Sequence, residues 1–289
     1  MDKNLKDALS FLESQQFEEA INAFGKALAD DPDNHEIYIN RGVAWGIIGK
    51  LDHAINDFSA ALELVPAEAS AYENRGSAFS SKGEYEHAIS DFNKAIELSP
   101  TDGQIFINRG MTWTKKGDFG RAVDDFSKAL ELSPESFEGY FYRGIAFTQH
   151  GEMDNAIADF SDAIRIDANA SIAYLNRGVA WTGKNEFGQA INDFSACLNL
   201  DPDNSVAYNF RGIAWVNKEE FTSAINDFSQ AIEVDPANAE AYFNRALTWQ
   251  NQGDLLQALT DAKKALTLSP GEKRYPRHRR LRCESPPRN

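Results

Sequence analysis

The 289-residue chain lacks much of what usually announces a chemistry. It has two cysteines, Cys197 and Cys283, widely separated, which make neither a disulfide framework nor a cysteine-based metal site. No apolar run approaches the ~18 residues that a membrane span requires. The N-terminal stretch "MDKNLKDALSFLESQQ" interleaves charges with its apolar residues, where a secretory signal would be continuously apolar. A protein of the reducing cytoplasm is the expectation. Neither GxGxxG nor GxxxxGK[ST] occurs, so no phosphate-cradling loop is visible. Basic charge is also scarce outside one place. Residues 273–289 hold seven Lys/Arg and one acid, while residues 1–272 hold 22 bases against 43 acids, a net charge of −21. A body that acidic is a poor general binder of nucleic acid, because such binding rests on neutralising phosphates. For the tail the choice stays open between nucleic acid, an anionic membrane, the acidic body itself and no role. Its Pro276, Pro286 and Pro287 favour disorder there.

What the chain does have is self-similarity. The octet "YINRGVAW" at 38–45 returns as "YENRGSAF", "FINRGMTW", "YFYRGIAF", "YLNRGVAW", "YNFRGIAW" and "YFNRALTW", each 34 residues after the last. A second motif, "AINDFSAALELVP" at 54–66 and its variants, follows each octet with the same period. Eight units tile the chain without insertion or deletion: 1–34, 35–68, 69–102, 103–136, 137–170, 171–204, 205–238 and 239–272. Apolar or small residues at unit positions 4, 8 and 11, then 17, 20, 21, 24, 27 and 28, predict two amphipathic helices per unit. Gly49, Gly83, Gly117, Gly151 and Gly253 mark the turn between them, and a proline at position 32 ends the second helix in all but the fifth unit. A lone helix pair cannot bury its face, so the units must stack on one another.

This pattern resembles the tetratricopeptide repeat: period 34, aromatic at 4, Gly at 8, aromatic at 11, Ala at 20, Phe at 24, Ala at 27 and Pro at 32. The resemblance covers residues 1–272 and implies an all-α solenoid, a right-handed superhelix of helix-turn-helix repeats. Its departures are local. Unit 1 lacks the octet and reads as a cap variant. Asn185 and Glu219 replace the turn glycine, so looser turns are expected there. In unit 8, Ala262 replaces the recurrent Phe and Lys263 and Lys264 follow, which predicts a more polar face suited to ending a stack. No further solvating helix is visible, so unit 8 serves as its own cap or the chain belongs to a longer protein.

Nothing assembles a catalytic centre, and neither enzymatic activity nor a cofactor nor a metal is expected. The five tryptophans all fall at unit position 11, where repetition points to packing. His53 and His87 share a position on neighbouring units, without regular metal-ligand spacing. Cys197 takes a slot otherwise held by Ala and reads as a packed thiol.

Two charged positions recur together. Arg41, Arg75, Arg109, Arg143, Arg177, Arg211 and Arg245 hold position 7, and Asp57, Asp91, Asp125, Asp159, Asp193, Asp227 and Asp261 hold position 23, while unit 1 lacks both. Their joint presence and joint absence predict seven structural ion pairs, Arg41–Asp57 through Arg245–Asp261, the alternative being separately solvated charges. Position 6, beside the arginine, carries Asn40, Asn74, Asn108, Asn176 and Asn244, with Tyr142 and Phe210 in the gaps. Position 9 adds Val43, Met111, Ile145, Val179, Ile213 and Leu247. On the helical wheel these lie away from the 4/8/11 face, and amides interleaved with aliphatics are not an ordinary solvated surface.

In the tetratricopeptide family this face lines the concave groove, and similar Asn ladders occur in the superhelix attached to O-linked N-acetylglucosamine transferases. The resemblance therefore implies a non-catalytic interaction scaffold that binds an extended peptide through an Asn ladder and its apolar neighbours. The carboxylate clamp of family members that hold Hsp70 or Hsp90 tails needs Lys at position 2 and Arg at position 6, and no unit has either. Two alternatives stand beside the scaffold: a structural module that self-associates end to end, and the targeting domain of a larger enzyme or complex.

Overall fold

The computed structural model describes residues 3–270, so the basic tail and the expectations attached to it lie outside the described residues. The chain divides into two compact units, residues 1–152 and 153–289, with the division falling inside the fifth 34-residue repeat. The first unit contains α1 (Lys3–Glu13), α2 (Phe17–Asp30), α3 (His35–Ile47), α4 (Leu51–Leu64), α5 (Ala69–Lys82), α6 (Tyr85–Leu98), α7 (Gly103–Lys116), α8 (Phe119–Leu132) and α9 (Phe137–His150). The second contains α10 (Met153–Ile166), α11 (Ser171–Gly183), α12 (Phe187–Leu200), α13 (Ser205–Asn217), α14 (Phe221–Val234), α15 (Ala239–Gln252) and α16 (Leu255–Leu268). No strand occurs among the described residues. Each unit is a stack of antiparallel helical hairpins, and the architecture is an all-α solenoid.

Local chemistry starts and stops these helices. Ser136 accepts from the Gly139 amide at 3.0 Å, and Asn204 and Asn238 do the same for Ala207 and Ala241 at 2.9 Å, each satisfying an amide that the first turn leaves without a partner. Between the helices of a hairpin the chain enters the left-handed region, at φ of 74° to 87° for Gly49, Gly83, Gly117, Gly151 and Gly253. Asn185 and Glu219 do not loosen their turns. They adopt the same conformation, at φ of 61° and 63°, because the packed hairpin imposes the turn on whichever residue stands there.

Phenylalanines fill the core of each unit. Phe24, Phe58, Phe92, Phe126, Phe160, Phe194 and Phe228 are at most 2% exposed. Opposite Phe58, Phe92, Phe126, Phe194 and Phe228 the first helix of the hairpin presents a glycine, which is required where the approach is closest. A Cβ on Gly42 would lie 2.6 Å from Phe58, on Gly110 2.7 Å from Phe126, and on Gly212 2.6 Å from Phe228. The eighth repeat changes both partners together, to Ala246 and Ala262.

The packed face of the first helices is not centred where the sequence pattern put it. Positions 3 and 10, such as Ile37, Ile105, Ala44 and Ala146, are at most 2% exposed, while Tyr38, Trp45, Trp181, Trp215 and Trp249 at positions 4 and 11 are only half-buried. Cations lie over these rings, with Lys184 5.8 Å from the Trp181 ring and Lys218 5.7 Å from the Trp215 ring.

First helices of consecutive repeats touch, α3 with α5, α5 with α7 and α7 with α9 in the first unit, and α11 with α13 and α13 with α15 in the second. Second helices do not approach one another comparably. Each stack therefore bends with its first helices on the inside.

Glu219→Gly relieves a left-handed strain that only a side chain feels. It is expected to stabilise the protein by about 0.5–1 kcal/mol, read as a rise in denaturant midpoint with unchanged slope.

Candidate functional site

The arginines of the first helices reach inward to the second. Arg41, Arg75, Arg109, Arg177, Arg211 and Arg245 each donate Nε and Nη2 to the two carboxylate oxygens of the aspartate sixteen residues on, at 2.6–2.9 Å. The partner aspartate side chains are 6–9% exposed. Such fork-on-fork pairing is available to arginine alone. Arg143 lies in the first unit and its sequence counterpart Asp159, itself buried, in the second.

The third nitrogen makes a contact that the sequence reading missed. Nη1 of Arg75, Arg143, Arg177, Arg211 and Arg245 donates to Ser59, Ser127, Ser161, Ser195 and Ser229 of the preceding repeat at 2.8–3.0 Å, and Arg109 donates likewise to Asn93. One guanidinium thus ties its own second helix and the previous repeat's second helix to its own first helix. The signal was present in sequence, since that Ser or Asn directly follows the recurrent Phe. An aromatic ring one turn earlier lies against the same guanidinium, Tyr38 5.7 Å from Arg41 and Tyr208 5.5 Å from Arg211.

Hydrogen bonds donated to the aspartates hold Arg41, Arg75, Arg177 and Arg211 above the already high guanidinium pKa, against the opposing effect of burial. Burial raises Asp125 above the ordinary carboxylate range despite the bonds from Arg109. The pair is therefore costly to desolvate and more costly to break.

The asparagines of position 6 sit on the inner rows of first helices, half-buried rather than on a solvated face. They fall into two classes. Asn40, Asn74 and Asn176 each donate Nδ2 to the carbonyl four residues earlier, at 2.8–2.9 Å, and no protein donor reaches their Oδ1 among the described residues. Asn108 and Asn244 instead cross to the preceding first helix, donating to Glu73 at 2.8 Å and to the buried Asn209 at 3.0 Å, and Asn108 also accepts from Gln104. The row is thus not one uniform ladder.

Tyr142 and Phe210, which fill the gaps, stack on the preceding core phenylalanines Phe126 and Phe194 at 6.1 and 5.9 Å. Val43, Met111 and Val179 pack onto core clusters, Ile145 and Ile213 are half-buried, and Leu247 is 44% exposed. In the second unit the inner surface is the more apolar, with Ile172 46% and Val206 49% exposed beside these residues. There a cavity of about 120 Å³ opens between α13 and α15, lined by Ile213, Val216, Asn244, Leu247, Thr248 and Asn251, with Phe228 beneath. A larger cleft, about 680 Å³, lies at the α6–α7 turn and the end of α8, with Ser99, Thr101, Asp102, Gln104, Ser133 and Ser136 among its lining residues.

The remaining reactive residues are occupied by packing. Burial lifts the Cys197 thiol to about 11, so it stays protonated at neutral pH. His53 lies against Trp45 and His87 against Phe79, at 4.6 and 5.2 Å between ring centres. No group of three His, Cys, Asp or Glu residues with metal-binding geometry occurs among the described residues. No helix among them is long and apolar enough to cross a membrane.

Tetratricopeptide-repeat family models match residues 8–45, 69–102, 115–171, 214–253 and 239–272. The chain belongs to the tetratricopeptide repeat family. No curated protein sequence gives a significant match. Among solved structures, a tetratricopeptide repeat protein from Parabacteroides merdae is 20% identical, covering 89% of this chain and 98% of its own, with a TM-score of 0.65. Yeast Tom70 is 21% identical over 92% of this chain and 60% of its own, with a TM-score of 0.61. YrrB, a tetratricopeptide protein with an unusual peptide-binding site, is 26% identical over 65% of this chain and 97% of its own, with a TM-score of 0.53. Proteins of this family are generally non-catalytic interaction modules, and a protein-binding scaffold is the role the fold supports.

Two outcomes follow from the charges. Asp125→Ala strands the Arg109 fork and is expected to cost about 3 kcal/mol, seen as a lowered denaturant midpoint, whereas equal melting would make the pair an idle one. Burial, with the nearby Asp102 charge, raises Glu73 above its ordinary 4.5, outweighing the bond from Asn108. The folded state then holds that proton more tightly, so this group's contribution falls as pH rises through and above 4.5. Glu73→Gln should melt higher than wild type at neutral pH, the gap closing below that window.

Proposed function

We propose that the inner rows of first helices bind an extended peptide segment of a partner protein and that the chain itself performs no catalysis. The observation that supports this best is the state of Asn40, Asn74 and Asn176. Each amide is tethered through Nδ2 to its own helix, and its oxygen is left for a donor from outside the protein. A peptide backbone offers such N–H groups at regular intervals, whatever its side chains. The aliphatic residues beside the amides add contact area, and the cavity of about 120 Å³ is of the size that an apolar group fills in engineered cores. Asn108 and Asn244 serve instead to hold successive first helices in register. The likeness to YrrB is consistent with a peptide as the ligand class.

Selection of binders from a random-peptide library against the full chain provides the probe. Asn40→Ala/Asn74→Ala/Asn176→Ala removes three acceptors and should weaken the selected peptides by about 3 kcal/mol, on the order of a hundredfold. Peptides held equally well by the triple variant would remove the amides from the reading.

A further inference from the structure

The two terminal helices depart from the repeat pattern at the positions through which consecutive repeats touch, and the departures complement each other. The contact rules come from the interior. The residue at position 7 of one repeat bonds position 25 of the repeat before it, as Arg75 does with Ser59. Position 14 pairs with position 18 of the preceding repeat, as Lys82 does with Asp52 at 2.7 Å and Lys116 with Glu86 at 2.6 Å. The aromatic at position 11 packs near positions 17 and 21 of the preceding repeat, as Trp113 does in the cluster containing Tyr85 and Ile89.

On α1 these positions hold Asp7, Ser14 and Phe11, and on α16 they hold Lys263, Leu256 and the pair Leu255 and Leu259. The face of α16 is apolar in its first turns, contrary to the polar end expected from sequence. Leu255 is 41% exposed, Leu256 73% and Leu259 43%, because the lysines stand further along the helix. Asp7 and Lys263 are both exposed.

We propose that a second copy of this chain docks head to tail, with the outer face of its α1 on the outer face of α16 in the repeat's own register. In that register Asp7 meets Lys263 as an ion pair where the interior has an Arg–Ser bond. Phe11 meets Leu255 and Leu259, an aromatic on aliphatics as in the interior. Ser14 meets Leu256, an uncharged pair at the position where three interior interfaces set a lysine on an acid. A further repeat of the interior type would bring an arginine against Lys263, and like charges at a contact select against it. The occupant that α16 fits is therefore one with an acid at position 7, and within this chain only α1 has it. A head-to-tail contact is heterologous, so copies add successively. The surface is separate from the inner rows of asparagines, so each reading can fail without the other.

The test is sedimentation velocity of the 289-residue chain over a wide concentration range. The average mass of wild type is expected to rise with concentration. Asp7→Lys and Lys263→Asp, both at exposed sites, should each weaken association about a hundredfold. Mixing the two variants should restore it, since each supplies the charge the other lacks, and restoration shows that both are folded. A mass independent of concentration would overturn the proposal, as would association indifferent to either reversal. Association appearing only after removal of residues 273–289 would assign the face to that segment and overturn it equally.

Discussion

In five of the repeats, at Arg75, Arg109, Arg177, Arg211 and Arg245, a single guanidinium holds three helices. Its Nε and Nη2 close on an aspartate of its own hairpin, and its Nη1 reaches a serine or asparagine of the hairpin before. Stacked helices could slide along one another at small cost if only leucines and alanines met. A bidentate fork tolerates no such slide, because both carboxylate bonds have fixed direction. Each stack's register, and with it the alignment of the inner face, depends on this interaction.

Neighbouring residues on the same turn take different places. Arginine at position 7 goes into the seam between helices, and asparagine at position 6 lies on the inner row. The second unit exposes more aliphatic surface along that row than the first, through Ile172, Val206 and Leu247.

Much of this was legible from repetition. The 34-residue period located every hairpin, and the joint presence of Arg and Asp in seven repeats pointed to contact between them. What repetition hid was neighbour relation. Serine follows five of the seven recurrent phenylalanines, yet its partner lies in the next repeat, and a pattern read repeat by repeat does not show bonds across repeats. The asparagines were misread as equivalent for the opposite reason. Identical letters at one position diverge when the previous helix offers Glu73 or Asn209 at position 5, where Asn40 and Asn74 are preceded by Leu5 and Ile39.

The sequence by itself determined the class of fold, the length of each hairpin and the pairing of charges within it, because these depend on spacing along one helix or across one short turn. Only the tertiary structure decided which residues of the first helix are buried, which asparagines bond within their own helix and which across to the one before, and what the terminal helices present outward. The physical reason is that a side chain's environment in a stack is set by the repeat beside it, and that neighbour lies 34 residues away in the chain.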